Sequence, residues 1–320
     1  MSLLSRSWPT ILKYVFGPLI LLILFWTIGI SAIWNLLTTV NLGYFLLAYF
    51  LFAFSMFIAA FNLYLLLWPI KRINPRKFLQ YFFANRITAL IFPGRLGEFS
   101  ITYYFHRENI SYGQGLAAVV TDKLTTVSCS MIFGIAAIYI FMQGAHISTL
   151  AMYIFFMLFI FILLVSPASR KFIRKHILGK YAHHFQGFSA TLFSYEREHK
   201  RMAILNIIIT LVRILVIALS AKAMFLALRT DVPLFTLILI GGLETLSNSI
   251  PLTINGLGIE QAIGIYVFSA VGVNPVVTGA RYVMSFVIKY SFGFFSTFFI
   301  SSDLLHTTTD KPLAKESKEL

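Results

Sequence analysis

The sequence predicts an all-α polytopic membrane protein, and three observations lead there. Of its 320 residues 58% are hydrophobic and only 12% charged, which leaves little polar surface for any soluble domain. Several apolar runs reach the roughly 20 residues that a helix needs to cross a hydrocarbon core about 30 Å thick. The net charge of +14 is gathered in loops between those runs, as the positive-inside rule has it, so it argues for topology and not for nucleic-acid binding.

Taken in order, about six full spans are expected, at 14–34, 43–70, 115–142, 148–167, 203–228 and 275–301. The first is longer than a signal-peptide core and ends in "SAIWNLL" without a small-residue cleavage pattern, so it is expected to stay as an anchor. The loop "KRINPRK" (71–77) and the stretch from Arg170 to Arg201 are rich in Lys and Arg, whereas "NLLTTVNLG" and "QGAHIS" have neither. The two basic loops share the cytoplasmic side only if residues 78–112 enter the membrane and return, which makes that segment a re-entrant candidate. Both termini then fall in the cytoplasm. The plain alternative makes 78–106, and with it two short C-terminal pieces at 233–249 and 260–272, ordinary spans.

Near the C-terminus, 233–249 and 260–272 are short and flank the breaker-rich "SIPLTINGLGIE", so they read as two half-helices of a second broken hairpin entering from the opposite side. "PGRLGEFSITYYF" (93–105) echoes "NGLGIEQAIGIYVF" (255–268): a glycine-rich turn, an acid, then an aromatic half-helix. Paired broken segments of opposite orientation are the trace of an inverted repeat with a site near the midplane, chance similarity of glycine-containing apolar sequence being the alternative. Residues 1–302 are thus expected to form one integral domain and 303–320 a polar, disordered cytoplasmic tail. Residues 171–193 place apolar side chains at helical spacing with basic ones around them, which predicts an interfacial amphipathic helix.

Unwound turns cannot face lipid, so 93–97 and 251–258 are expected to line a cavity. The charges expected at membrane depth are Arg86, Arg95, Lys123, Arg213, Lys222, Arg281 and Lys289 against Glu98, Asp122, Glu244 and Glu260. Such charges are costly unless paired or hydrated, and the surplus of bases leaves room for an anion. Arg95 has the guanidinium geometry for a phosphate; equally, it can pair with Glu98 three residues on. Gly94, Gly97, Gly256 and Gly258 allow close approach to half-helix N-termini, which attract anions. Arg213 and Arg281 are expected to serve the cavity or to pair with Glu244 or Glu260. Lys222 and Lys289, near span ends, are expected to snorkel. Asp122 and Lys123, adjacent on a helix, point about 100° apart and are not expected to address one partner together; Lys123 is given to the cavity. Cys129 is the only cysteine, so no internal disulfide forms, and no metal or cofactor motif is expected.

"FPGRLGE" (92–98), "ISYGQGLAAVVTDKL" (110–124), "SIPLTINGLGIEQA" (249–262) and the downstream Arg281, in this order and spacing, resemble the lysylphosphatidylglycerol synthase transmembrane-region family, whose members are also called flippase-like proteins. The chain departs from the family in having Asp122-Lys123 where a Glu-Arg pair is usual, and "LTINGLG" where a Pro-Gly-rich turn is usual. The resemblance implies movement of an anionic or aminoacylated phospholipid between leaflets of the cell membrane. The substrate-binding residues would come from Arg95, Glu98, Gly94, Gly97, Asp122, Lys123, Gly256, Gly258, Glu260 and Arg281. Some relatives carry a soluble transferase module that is not expected here, which leaves a separate synthase as an expected type of partner. A membrane-embedded component of a glycosyl- or aminoacyl-transferase is the alternative function, and a lipid-binding scaffold a third. The sequence has no Asp-x-Asp, P-loop or dinucleotide-binding glycine pattern to favour a transferase.

Overall fold

The computed structural model of the chain describes residues 4–91, 96–141, 187–249 and 256–299, and these are helical with short turns between. The expected span 148–167, the "QGAHIS" loop, most of the amphipathic stretch 171–193, Gly94, Arg95 and the tail lie outside the described residues.

The first apolar run is not one straight span. It forms α1 (Leu4–Ile28) and α2 (Ile30–Leu37), bent by 83° at Gly29, whose φ of 104° suits glycine and strains any other residue. The helix α3 (Leu42–Leu67) starts where Asn41 accepts from the N–H groups of Gly43 and Tyr44. Asn74 then precedes Pro75 and opens α4 (Pro75–Ile91). A 3-10 turn, Leu96–Ser100, runs into the short α5 (Ile101–His106). The next helix, α6 (Tyr112–Phe141), is capped reciprocally: Ser111 Oγ accepts from Gln114 N, and Gln114 Oε1 from Ser111 N.

Beyond the undescribed stretch come α7 (Phe188–Arg197), α8 (Lys200–Ala227), α9 (Leu234–Ser249), α10 (Ile259–Ala270) and α11 (Pro275–Ser296). The last opens on an Asn274-Pro275 cap and ends in a 3-10 turn, Thr297–Phe299. Among the described residues α3, α6, α8 and α11 are long and apolar enough to cross a membrane, and the bent pair α1–α2 makes a fifth if counted as one span. The described end of the amphipathic stretch is docked on protein: α7 packs on α6 and α8, and the Tyr195 hydroxyl donates to the Leu66 carbonyl.

The central scaffold is the antiparallel pair α3 and α8. Asn41 N donates to Ala227 O at 3.0 Å at one end, Ser220 Oγ to Ala48 O at 2.8 Å midway, and Asn62 Nδ2 to Thr210 Oγ1 at 3.1 Å nearer the other end. Such internal hydrogen bonds are how polar groups are tolerated within apolar helices.

Each member of the pair is followed by a helical hairpin. In the first, α4 goes in and α5 returns: Tyr81 stacks on Tyr104 at 5.3 Å, Phe78 on Phe105 at 6.1 Å, and Tyr81 Oη donates to Glu108 at 2.7 Å. In the second, α9 goes in and α10 returns, so that Phe268 near its end meets Phe225 near the end of α8, 5.1 Å apart. The first hairpin opens toward the end holding Leu66 and Tyr195, the second toward the end holding Asn41 and Ala227. The order long helix, hairpin, long helix therefore occurs twice, in α3–α6 and α8–α11, and the second copy is inverted because α3 and α8 run antiparallel. The two halves meet closely at α6 and α9, where a Cβ on Gly242 would come within 2.8 Å of the Gly134 nitrogen and the Ser130 carbonyl oxygen.

Candidate functional site

The described arms of the two hairpins line one cavity of about 220 Å³. Glu98, two residues into the 3-10 turn of the first return arm, lines it with Arg86 of α4. Glu260, in the first turn of α10, lines it from the other hairpin, with Glu244 of α9 and Arg281 and Lys289 of α11. Phe52, Met56 and Phe292 complete an apolar side.

Each tip acid is tied to the long helix that follows its hairpin. Glu98 pairs with Lys123 of α6, and Arg86 stands 3.7 Å from the same carboxylate. Glu260 pairs with Lys289 of α11 at 3.5 Å. Glu244 is held more firmly: Arg281 reaches its two oxygens at 2.8 and 3.3 Å, and Tyr282 Oη donates at 2.5 Å. The Arg281 guanidinium also lies 4.7 Å from the Tyr282 ring centre, so aromatic surface shares the cation.

Behind Glu98 and Arg86 lies a second pocket of about 20 Å³, the space of a single water, which Asp122, Lys123 and Arg213 also line. Asp122 is buried and accepts from Asn62 Nδ2 at 3.0 Å. Lys123 Nζ reaches back to it at 3.3 Å while holding Glu98.

Of the sequence-derived site residues, Glu98, Glu260 and Arg281 meet at the cavity, and Asp122 and Lys123 adjoin it. Gly94 and Arg95 lie outside the described residues. Gly97 is buried, its carbonyl accepting from Ser100 Oγ. Gly256 and Gly258 have positive φ, 71° and 86°, and their missing side chains make room for protein: a Cβ on Gly256 would crowd Asn248, and one on Gly258 would lie 2.7 Å from the Gly17 carbonyl oxygen. At these two positions glycine serves the turn and its packing, on α9 for Gly256 and on α1 for Gly258.

The charges keep some expectations and change others. Asp122 and Lys123 address different partners, Asn62 and Glu98, as their 100° divergence predicts, although the long lysine side chain also reaches back to Asp122. Lys289 does not snorkel but faces the cavity. Arg213 takes the first of its two expected roles, lining the smaller pocket beside Asp122, and donates to Thr126 Oγ1 at 2.7 Å. Arg86, Lys123, Arg213, Arg281 and Lys289 line the two pockets against Glu98, Asp122, Glu244 and Glu260, a surplus of one base among the described residues, Arg95 standing outside them. Lys222 keeps its span-end role, bound to the exposed Asp231 at 2.9 Å. Sequence reasoning left Arg86, Glu244 and Lys289 out of the site, although all three carried the signal of a charge in an apolar run. Asn62 carried the same signal, a buried amide within "AAFNLYLLL".

Residues 10–296 match the family described as the lysylphosphatidylglycerol synthase TM region. The chain belongs to this family. It is a multi-pass membrane protein, and the family ties it to membrane lipid. The match spans α1 to α11 and so takes in both hairpins and every described residue of the cavity. No curated protein sequence matches the chain.

Proposed function

We propose that the protein moves a phospholipid with an anionic or aminoacylated headgroup between the leaflets of the cell membrane. The observation that carries this reading is the cavity shared by two oppositely directed hairpins, with Glu98 from one tip and Glu260 from the other. Six charged side chains in a mostly apolar bundle are costly to keep there, and a polar headgroup is the ligand that repays the arrangement. A volume of about 220 Å³ suits a headgroup and not a whole lipid, whose chains would stay in the bilayer.

In this reading the hairpins re-enter the membrane from opposite sides, and the site lies near the midplane. The first opens toward the basic residues Lys71, Arg72, Arg76 and Lys77, which supports a cytoplasmic side for that end. Arg95, three residues before Glu98, is a proposed phosphate ligand because its planar guanidinium can donate two parallel hydrogen bonds.

The test is reconstitution into phosphatidylcholine vesicles holding fluorescent phosphatidylglycerol, with dithionite quenching of the outer leaflet. Movement by the protein exposes nearly all of the fluorophore to dithionite. Quenching that stops at the outer half, as in empty vesicles, would overturn the reading.

A further inference from the structure

Glu98 and Arg86 belong to both pockets, so whatever enters the cavity meets an acid that is also connected to the helix interior. The connection is a chain of polar contacts. Lys123 stands between Glu98 and Asp122, Asp122 accepts from Asn62 at 3.0 Å, and Asn62 donates to Thr210 at 3.1 Å. Two carboxylates thus share one close ammonium. Among the described ion pairs the other acids of the cavity have separate cations: Glu244 has Arg281, and Glu260 has Lys289.

The charged groups facing Glu98 come from every side. Arg86 comes from α4, Asp122 and Lys123 from α6, and Arg213 from α8, while α3 offers the neutral Asn62. Across the cavity stand Glu244, Glu260, Arg281 and Lys289.

We infer that the lipid moves together with a proton carried on Glu98, an inference that rests on the translocation reading above. An anionic phosphate in the cavity competes with Glu98 for Arg86 and Lys123, and it adds a third negative charge beside Glu98 and Asp122. In a medium of low dielectric constant, like charges at such spacing raise the proton affinity of one of them. Glu98 takes a proton from water on the entry side and becomes neutral. Lys123 stays paired through Asp122, so no buried ammonium is stranded. When the phosphate leaves on the other side, Glu98 gives its proton to water there and takes up Lys123 again. One proton and one singly charged anionic lipid cross together without net charge.

The experiment uses the same vesicles with fluorescent phosphatidylglycerol, a pH difference of one unit, and the voltage clamped with potassium and valinomycin. Proton-coupled movement enriches the lipid in the leaflet on the alkaline side, up to about tenfold at steady state, because a one-unit gradient is a tenfold driving ratio. Glu98→Gln and Asp122→Asn, each checked for folding by size exclusion and thermal midpoint, return the ratio to about one. The wild-type measurement decides without the variants: lipid movement with a leaflet ratio of one overturns the coupling and leaves translocation standing. No movement at all overturns both. A wild-type ratio preserved in both variants overturns the assignment to Glu98 and Asp122.

Discussion

Arg281 holds both carboxylate oxygens of Glu244, at 2.8 and 3.3 Å, while the next residue in the chain, Tyr282, donates to the same acid at 2.5 Å. Arg281 is 7% exposed and Glu244 8%, so neither charge has much water to fall back on. Removing one partner strands the other. Arg281→Ala and Glu244→Ala are each expected to cost about 3–5 kcal/mol, and the double change less than their sum. Thermal or denaturant unfolding in detergent checks this, and additive losses would refute the coupling.

Gly264 of α10 sits against the same cluster. A Cβ there would overlap the Tyr282 hydroxyl and approach Glu244 Oε1 to 3.0 Å. Gly264→Ala should therefore destabilise by about 1–3 kcal/mol. Adding Tyr282→Phe removes the overlapping oxygen, so the double variant is expected to be more stable than Gly264→Ala alone. An equal or larger loss in the double variant counts against the overlap as the cause.

Both hairpins were legible in the sequence because breakers, Pro93-Gly94 and the "PLTINGLG" stretch, interrupt apolar runs too short to span on their own. The bend at Gly29 was not, since one glycine in "TIGIS" is tolerated by a straight helix and only packing decides otherwise. The partners of Lys289 and Arg213 were hidden for a different reason. Depth along a span says how costly a charge is, but the rotation of the helix decides which neighbour it meets. Asp122 and Lys123 show the limit of helical-wheel angles, which fix the direction of a Cβ and say nothing of where the rest of a lysine side chain leads.

Glu108 closes the open end of the first hairpin, with Lys77 Nζ at 2.6 Å and Tyr81 Oη at 2.7 Å. Partial burial pushes its carboxyl up, but the hydrogen bonds from Lys77 and Tyr81 and the charges of Lys77 and Lys71 outweigh that and hold it below the ordinary value of 4.5. A depressed carboxyl contributes stability above its ordinary range and loses it as pH falls through the folded value. The difference in thermal midpoint between the wild type and Glu108→Gln should be present at neutral pH and vanish in acid. A difference that grows in acid would reverse the assigned sign.

Exposed positions Arg76 and Lys200 belong to the basic end, and Thr39 to the opposite end. In a Cys129→Ser background, which removes the only native thiol, cysteines at 76 and 200 should resist an impermeant maleimide applied to whole cells, whereas one at 39 should react. Reaction at 76 together with protection at 39 would invert the orientation without touching the fold.

Arg95 is tested by a cycle with Glu98. If Arg95 binds phosphate, Arg95→Lys should impair lipid movement, Arg95→Ala impair it more, and Arg95→Ala/Glu98→Ala restore nothing. If it only neutralises Glu98, the double change should recover part of what Arg95→Ala loses, as the acid left without Arg95 is removed with it and Lys123 keeps Asp122. Initial rates in vesicles separate the two.

The packing of Gly258 on Gly17 has a consequence for energetics. Two matched halves in opposite orientation would make inward-facing and outward-facing forms nearly degenerate, each a mirror of the other's contacts. The helix α1 stands outside the doubled order and packs on α10 and α11. If the protein moves lipid as proposed, a brace on one half lifts that degeneracy and gives the resting protein a preferred side, with α1 setting how far the balance leans.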